Sequence, residues 1–167
     1  PVDVPLVPSA SAAEQPAPTS EDSRVRQIIY NPNQVFTIKV KRGVATRIVL
    51  AKDEKIKEGV SGFSGHCDTT AAANPNAPAT DWCIVARKDE NSIYVKPKSG
   101  ANEPNNLEIS TNKRDYSFEF VLLPHNAPSH EKVFRVTFIY PEEQAKAYAA
   151  QPEVAAGVSS TVQFDIA

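Results

Sequence analysis

Residues 91–123 read NSIYVKPKSGANEPNNLEISTNKRDYSFEFVLL. Three runs in this stretch alternate apolar and polar residues. Ser92–Lys96 carries Ile93 and Val95, Asn106–Thr111 carries Leu107 and Ile109, and Tyr116–Leu123 carries Tyr116, Phe118, Phe120 and Leu122. A period of two belongs to strands with one buried face, because successive side chains point to opposite sides of the sheet. The segments between them, SGANEPN and NKRD, hold the Gly, Pro, Asn and Asp residues that turns favour. No nucleophile stands beside a base anywhere in the stretch, so it reads as scaffold and binding surface.

The same pattern continues on both sides. Ser23–Tyr30 reads as a strand ended by the turn Asn31-Pro32-Asn33, where Pro presets φ and Asn tolerates the left-handed region. Gln34–Val40 puts Phe36, Ile38 and Val40 on one face; Lys41-Arg42-Gly43 turns the chain into Ala45–Leu50. Short turns between such runs predict hairpins. Ala51–Gly59 is charged and fits either a short strand or one helical turn. From Val60 to Thr80 the chain is irregular, with Gly62, Gly65, Pro75 and Pro78, a loop long enough to suggest a function or disorder. Asp81–Arg87 returns to strand with Trp82, Ile84 and Ala86 on one side. Val133–Tyr140 closes the series with Phe134, Val136, Phe138 and Tyr140.

About eight short strands and one late helix predict an all-β protein, a β-sandwich of mostly antiparallel strands. Trp82, Tyr116, Phe118, Phe120, Phe134 and Phe138 are its expected core. The sandwich spans residues 23–141. Before it, residues 1–22 hold five prolines among Ala, Ser and Glu, too little apolar surface to offset ordering entropy, and are expected to be a disordered tail. After it, Pro141 sits where helices begin, Glu142 and Glu143 complement the positive end of a helix dipole, and residues 142–151 are expected to be helical. Residues 152–167 read as a linker whose VQFDI resembles the start of a further strand. The chain has no Met, so a processed protein or a piece of a longer one is expected, with any signal peptide upstream.

Charge is nearly balanced at −2 overall, but residues 23–140 carry 17 Lys and Arg against 12 Asp and Glu. That is below the bias of a dedicated nucleic-acid binder. Basic residues cluster at Arg24 and Arg26, at Lys39, Lys41 and Arg42, at Lys96 and Lys98, and at Lys113 and Arg114. Alternation of such residues with apolar ones marks an exposed sheet face or a protected edge, and these nine are the candidate interaction surface. Tyr30, Tyr94 and Tyr116 could stack bases, but they alternate with core residues.

The remaining chemistry is sparse. His66, Cys67, Cys83, His125 and His130 are the only soft metal ligands and lack the close pairing of zinc sites, so no metal or other cofactor is expected. Ser64 in GFSGH lies outside a nucleophile elbow, and Cys83 beside Trp82 suits an inert thiol. The acid pairs Asp53-Glu54, Asp89-Glu90 and Glu142-Glu143 fall at element ends, where solvated charge is the ordinary state. No enzyme and no small-molecule substrate are expected. Cys67 and Cys83 flank a loop that a disulfide would staple in an oxidising compartment; in a reducing one they are two separate thiols.

The ordered set of residues resembles a known family. Asp22, Arg24 and Arg26 lead to Tyr30; Gly43 is followed by Thr46 and Ile48; then come Trp82, Val95-Lys96-Pro97, Asn106-Leu107 with Thr111, Arg114 with Tyr116 and Phe118, and Tyr140-Pro141. Over residues 22–141 this is similar to the N-terminal domain of the CagX/TrbG/VirB-nine family of type IV secretion and conjugation systems. The segment Gly62–Thr80 is longer than that family's usual loop, and its cysteines are not family hallmarks. The resemblance implies a structural scaffold subunit of the outer-membrane core complex. It would sit in the periplasm as a ring of copies beside a VirB-ten-type subunit. A VirB-seven-type lipoprotein would be met only through a C-terminal β domain, absent here or begun at Val162. The alternative is a periplasmic nucleic-acid-contacting or other binding module of a conjugation apparatus; the composition does not favour the nucleic-acid form.

Overall fold

Strand order, more than strand content, sets this molecule apart from a simple meander. The computed structural model describes residues 13–63, 67 and 81–149. Ten strands form: β1 Ala17–Pro18, β2 Val25–Ile29, β3 Val35–Val40, β4 Thr46–Val49, β5 Ile56–Ser61, β6 Trp82–Ala86, β7 Ser92–Pro97, β8 Asn105–Thr111, β9 Asp115–Leu122 and β10 Arg135–Ile139. A 3-10 turn covers Ser129–Glu131, and helix α1 runs over Pro141–Ala149. One sheet has the order β1-β2-β10-β4-β7-β6 and the other β3-β9-β8-β5. The all-β sandwich expected from alternation is the fold observed.

The connections differ from the expected hairpins. Asn31–Asn33 and Lys41–Gly43 do not join paired strands; each carries the chain from one sheet to the other, because β2 and β4 belong to the six-stranded sheet and β3 to the four-stranded one. Gly43 adopts φ +79, a conformation costly for other residues, and its N–H donates to Pro97 O at 2.9 Å. Strand β10 then enters between β2 and β4, parallel to both, and β3 pairs parallel with β9. The true antiparallel run is β5-β8-β9, together with β4-β7-β6. Ala51–Gly59 resolves into a turn followed by β5, and a Cβ at Gly59 would collide with the Ile109 side chain across the ladder.

Inward residues of both sheets meet in one core. Phe36, Phe118, Phe120 and Tyr116 are at most 1% exposed, and the Phe36 and Phe138 rings lie edge to face at 4.8 Å. Trp82 packs against Phe120 at 6.4 Å. Of the expected core residues Phe134 is the exception, being 44% exposed while Val133 is buried. The N–H groups of Phe134 and Arg135 both point to Arg24 O, at 2.8 and 3.4 Å, so two residues oppose one and the alternation slips by one position. The Phe134 ring lies instead under the Arg24 guanidinium at 5.2 Å.

Residues 13–22, expected in the disordered tail, are ordered against strand edges. Glu14 N–H donates to Val35 O and Glu14 O accepts from Thr37 N–H, and β1 pairs with β2. Their order comes from backbone pairing rather than apolar burial, which is why composition does not reveal it. Residues 1–12, most of the loop at 64–80 and the expected linker at 152–167 lie outside the described residues.

Candidate functional site

The densest polar chemistry lies at the end of the sandwich where α1 begins. Glu54, in the turn after β4, is 2% exposed. Its Oε1 accepts from Arg114 Nη1 at 2.7 Å, and Tyr116 OH lies 2.9 Å from both of its oxygens. Thr111 Oγ1 stands 2.6 Å from Oε2, and Ala51 N–H donates to Oε1 at 3.3 Å. Tyr116 OH has one proton to give to Glu54, so it accepts from Tyr140 OH at 2.7 Å. Thus Glu54 is not the solvated element-end charge its sequence setting suggests. It satisfies polar groups that β8, the β8–β9 turn and β9 bring to the core: Thr111, Arg114 and Tyr116.

Arg114 connects this interior to the helix. Its other nitrogen, Nη2, donates to Glu143 Oε2 at 2.6 Å, and its guanidinium lies 3.8 Å from the Tyr140 ring centroid. Burial works against its charge, but the Glu143 hydrogen bond and the Glu54 carboxylate outweigh it, raising its pKa. Burial pushes the Tyr116 and Tyr140 hydroxyls well up, so both stay protonated donors. The Arg114 hydrogen bond holds Glu143 below the ordinary carboxylate range. Lys113 bonds Asp53 at 2.7 Å and reaches Glu143 at 3.5 Å. A half-open cleft of about 470 Å³ lies above, lined by Tyr30, Pro32, Arg114, Tyr140 and Lys146 among others. Helix α1 buries none of its described side chains, and Glu143 alone is half-buried. The cluster can therefore fix the direction in which α1 leaves the sandwich.

The nine basic residues do not form one surface. Arg114 belongs to the buried cluster, its side chain 11% exposed. Arg42 is drawn onto backbone oxygens, Ala101 O at 2.5 Å and Leu123 O at 3.4 Å. Arg24 is bidentate to Asp22, at 3.0 and 2.9 Å, which holds that carboxyl down at about 2. Arg26 donates to Ser23 O and His130 O. Lys39 is exposed on β3, Lys41 and Lys98 are half-buried at strand ends, and Lys96 is half-buried on β7. Sequence reasoning missed Glu54 and Glu143. The available signal was Arg114 and Tyr116 near Tyr140, polar tips among core positions that require an acceptor.

Cys67 and Cys83 are joined in a disulfide with Cα atoms 5.1 Å apart. Among the described residues no group of three His, Cys, Asp or Glu is arranged to hold a metal, and no helix is long and apolar enough to cross a membrane.

The sequence of this chain is matched in known proteins. The family described as CagX, conjugal transfer protein, matches residues 23–165. The chain belongs to the CagX family. Among curated CagX-like relatives, the type IV secretion system protein PtlF of Bordetella pertussis is 28% identical over 162 residues, covering 86% of this chain and 53% of PtlF. The type IV secretion system protein virB9 of Brucella abortus is 29% identical over 130 residues, covering 78% of this chain and 44% of virB9. A DNA translocase FtsK of Sporosarcina ureae is 28% identical over 164 residues but is covered to only 18%. The chain thus spans about half the length of the PtlF and virB9 relatives. Within the CagX match lie the buried cluster, strands β2 to β10 and α1.

Proposed function

We propose that this chain is a structural scaffold subunit of a bacterial type IV secretion system core complex. It stands in the periplasm as a ring of copies, beside a VirB-ten-type subunit. The observation that carries this reading is the CagX match across residues 23–165, which takes in β2 to β10 and the helix. The chemistry supports it: the one dense polar cluster among the described residues is satisfied internally by Glu54, Arg114, Tyr116, Tyr140 and Glu143, as a fixed structural joint is. Contact with a VirB-seven-type lipoprotein belongs to residues beyond the sandwich.

The test is to isolate the assembled complex from cells making the whole secretion system, using a tag on this protein. Ring particles containing it, and loss of secretion or transfer when it is deleted, are expected. Complexes that form and function without it would overturn the reading.

A further inference from the structure

The two outer faces of the sandwich carry opposite charge. On the six-stranded sheet, the residues between the buried ones are Val25, Gln27 and Ile29 of β2, Arg135, Thr137 and Ile139 of β10, Arg47 and Val49 of β4, and Tyr94 and Lys96 of β7. No carboxylate stands among these strand positions. Arg47 and Arg135 are directly opposite each other in the β4–β10 ladder, both exposed, and neither meets a carboxylate among the described residues. The Arg47 guanidinium donates to Ser92 Oγ, at 3.1 and 3.0 Å, and lies 5.9 Å from the Tyr94 ring centroid. Like charges placed side by side on a sheet repel, and no carboxylate among the described residues relieves them.

The four-stranded sheet is the reverse. Glu58, Glu108, Asp115 and Glu119 point outward and are exposed, against Lys39 and, at the β5 irregularity, Lys57, which pairs with Asp89 at 3.6 Å. Glu58 and Asp115 flank Ser110 from the two neighbouring strands, on the same face of the sheet. None of the four is in an ion pair among the described residues; Glu108 accepts from Ser117 Oγ and Glu119 from Thr37 Oγ1. Val35 and Val60, 44% and 67% exposed, border this face as Ile29 and Tyr94, 54% and 38% exposed, border the other.

We infer that copies of this chain pack face to face, the basic outer face of the six-stranded sheet against the acidic outer face of the four-stranded sheet of the next copy. Two different surfaces meet, so the contact is head-to-tail and propagates until the rotation closes it into a ring. Sheet faces pack about 10 Å apart with interleaved side chains, close enough for Arg47 and Arg135 to reach the carboxylates opposite. The inference rests on the self-assembly in the reading above and specifies which surfaces make it.

Sedimentation velocity of the chain tests the pairing. Self-association is expected at about 50 mM salt, weakened about tenfold or more at about 500 mM because exposed charges are screened. Arg47→Glu with Arg135→Glu, and separately Glu58→Lys with Glu108→Lys, should each give monomers. In an equal mixture of the two variants the two unchanged faces complement each other and so do the two reversed faces, so growth with alternating variants should return. All four changes on one chain should restore growth. A wild-type chain that stays monomeric at low salt, or a mixture no more associated than its components, overturns the pairing. Should a reversal variant fail to fold, the Gln substitutions at the same positions take its place, with lost association expected. Isolated assemblies separate the two claims: rings that take up both reversal variants as readily as wild type overturn the faces alone, whereas rings lacking the protein overturn the scaffold reading.

Discussion

Removing the Arg114 guanidinium would leave Glu54 buried with its charge partner gone. A buried carboxylate stripped of its cation costs on the order of 3–5 kcal/mol, far more than the loss of a surface ion pair. Arg114→Leu should therefore lower stability by about that amount in urea unfolding, while Tyr140→Phe, which removes one neutral hydrogen bond, should cost about 1 kcal/mol. Equal costs for the two variants would show that Arg114 acts by packing alone. The contrast turns on residues that sequence could not rank. Glu54 sits in Ala51-Lys52-Asp53-Glu54-Lys55, a run that reads as solvated, and only the approach of β8, β9 and β10 from distant parts of the chain seals it. Phe134 errs in the opposite sense: an aromatic in an alternating run is a fair core prediction, but one doubled contact to Arg24 O turns it outward.

Elements were legible wherever burial alone sets the pattern. Strands β3, β7, β8 and β9 appear within a residue or so of the alternation that announces them, since each has one face on the core. The connections were not, because a three-residue turn looks alike whether it closes a hairpin or crosses between sheets. The edge pairing of residues 14–18 involves backbone only and leaves no side-chain signature. Helix α1 was visible from its Pro and Glu start, but its attachment was not. That attachment is an ion pair: Glu143 is held below its ordinary pKa by Arg114, so the tether is present above the usual carboxylate range and is lost as pH falls through the lowered value. The protection factors of the Glu142–Ala149 amides, corrected for the intrinsic pH dependence of exchange, should fall on acidification, and Glu143→Gln should show that lowered protection already at neutral pH while β8 and β9 stay protected. Unchanged exchange in the variant would mean that something other than Glu143 anchors the helix. On the far side of the sandwich, Cys67 and Cys83 close a loop with a sequence separation of 16. Replacing both with Ala should cost roughly 3 kcal/mol by the chain-entropy argument, and thiol labelling of the unreduced, denatured protein should find neither cysteine free.

At the scale of the whole molecule, charge is sorted by face rather than spread. A duplex approaching the basic sheet would meet a short row of cations, and the opposite face would repel it. Gel-shift titrations with a generic oligonucleotide at two salt concentrations should accordingly show only weak binding, without the steep salt dependence that several phosphate contacts produce. A steep slope would favour the nucleic-acid reading over the scaffold one.

Strand β10 also sets a timetable. It lies between β2 and β4, parallel to both, yet it is drawn from the last part of the sandwich to be made. The six-stranded sheet is therefore two fragments until residues 135–139 arrive, and the aromatic core stays open at Phe138 and Tyr140. A chain emerging from a ribosome or a membrane channel would wait nearly to its end before it could fold, leaving its early strands exposed to holding factors and proteases. Long-range pairing of this kind makes folding slow. Trimming the sequence before Arg135 should yield a chain that does not fold at all, rather than a smaller domain.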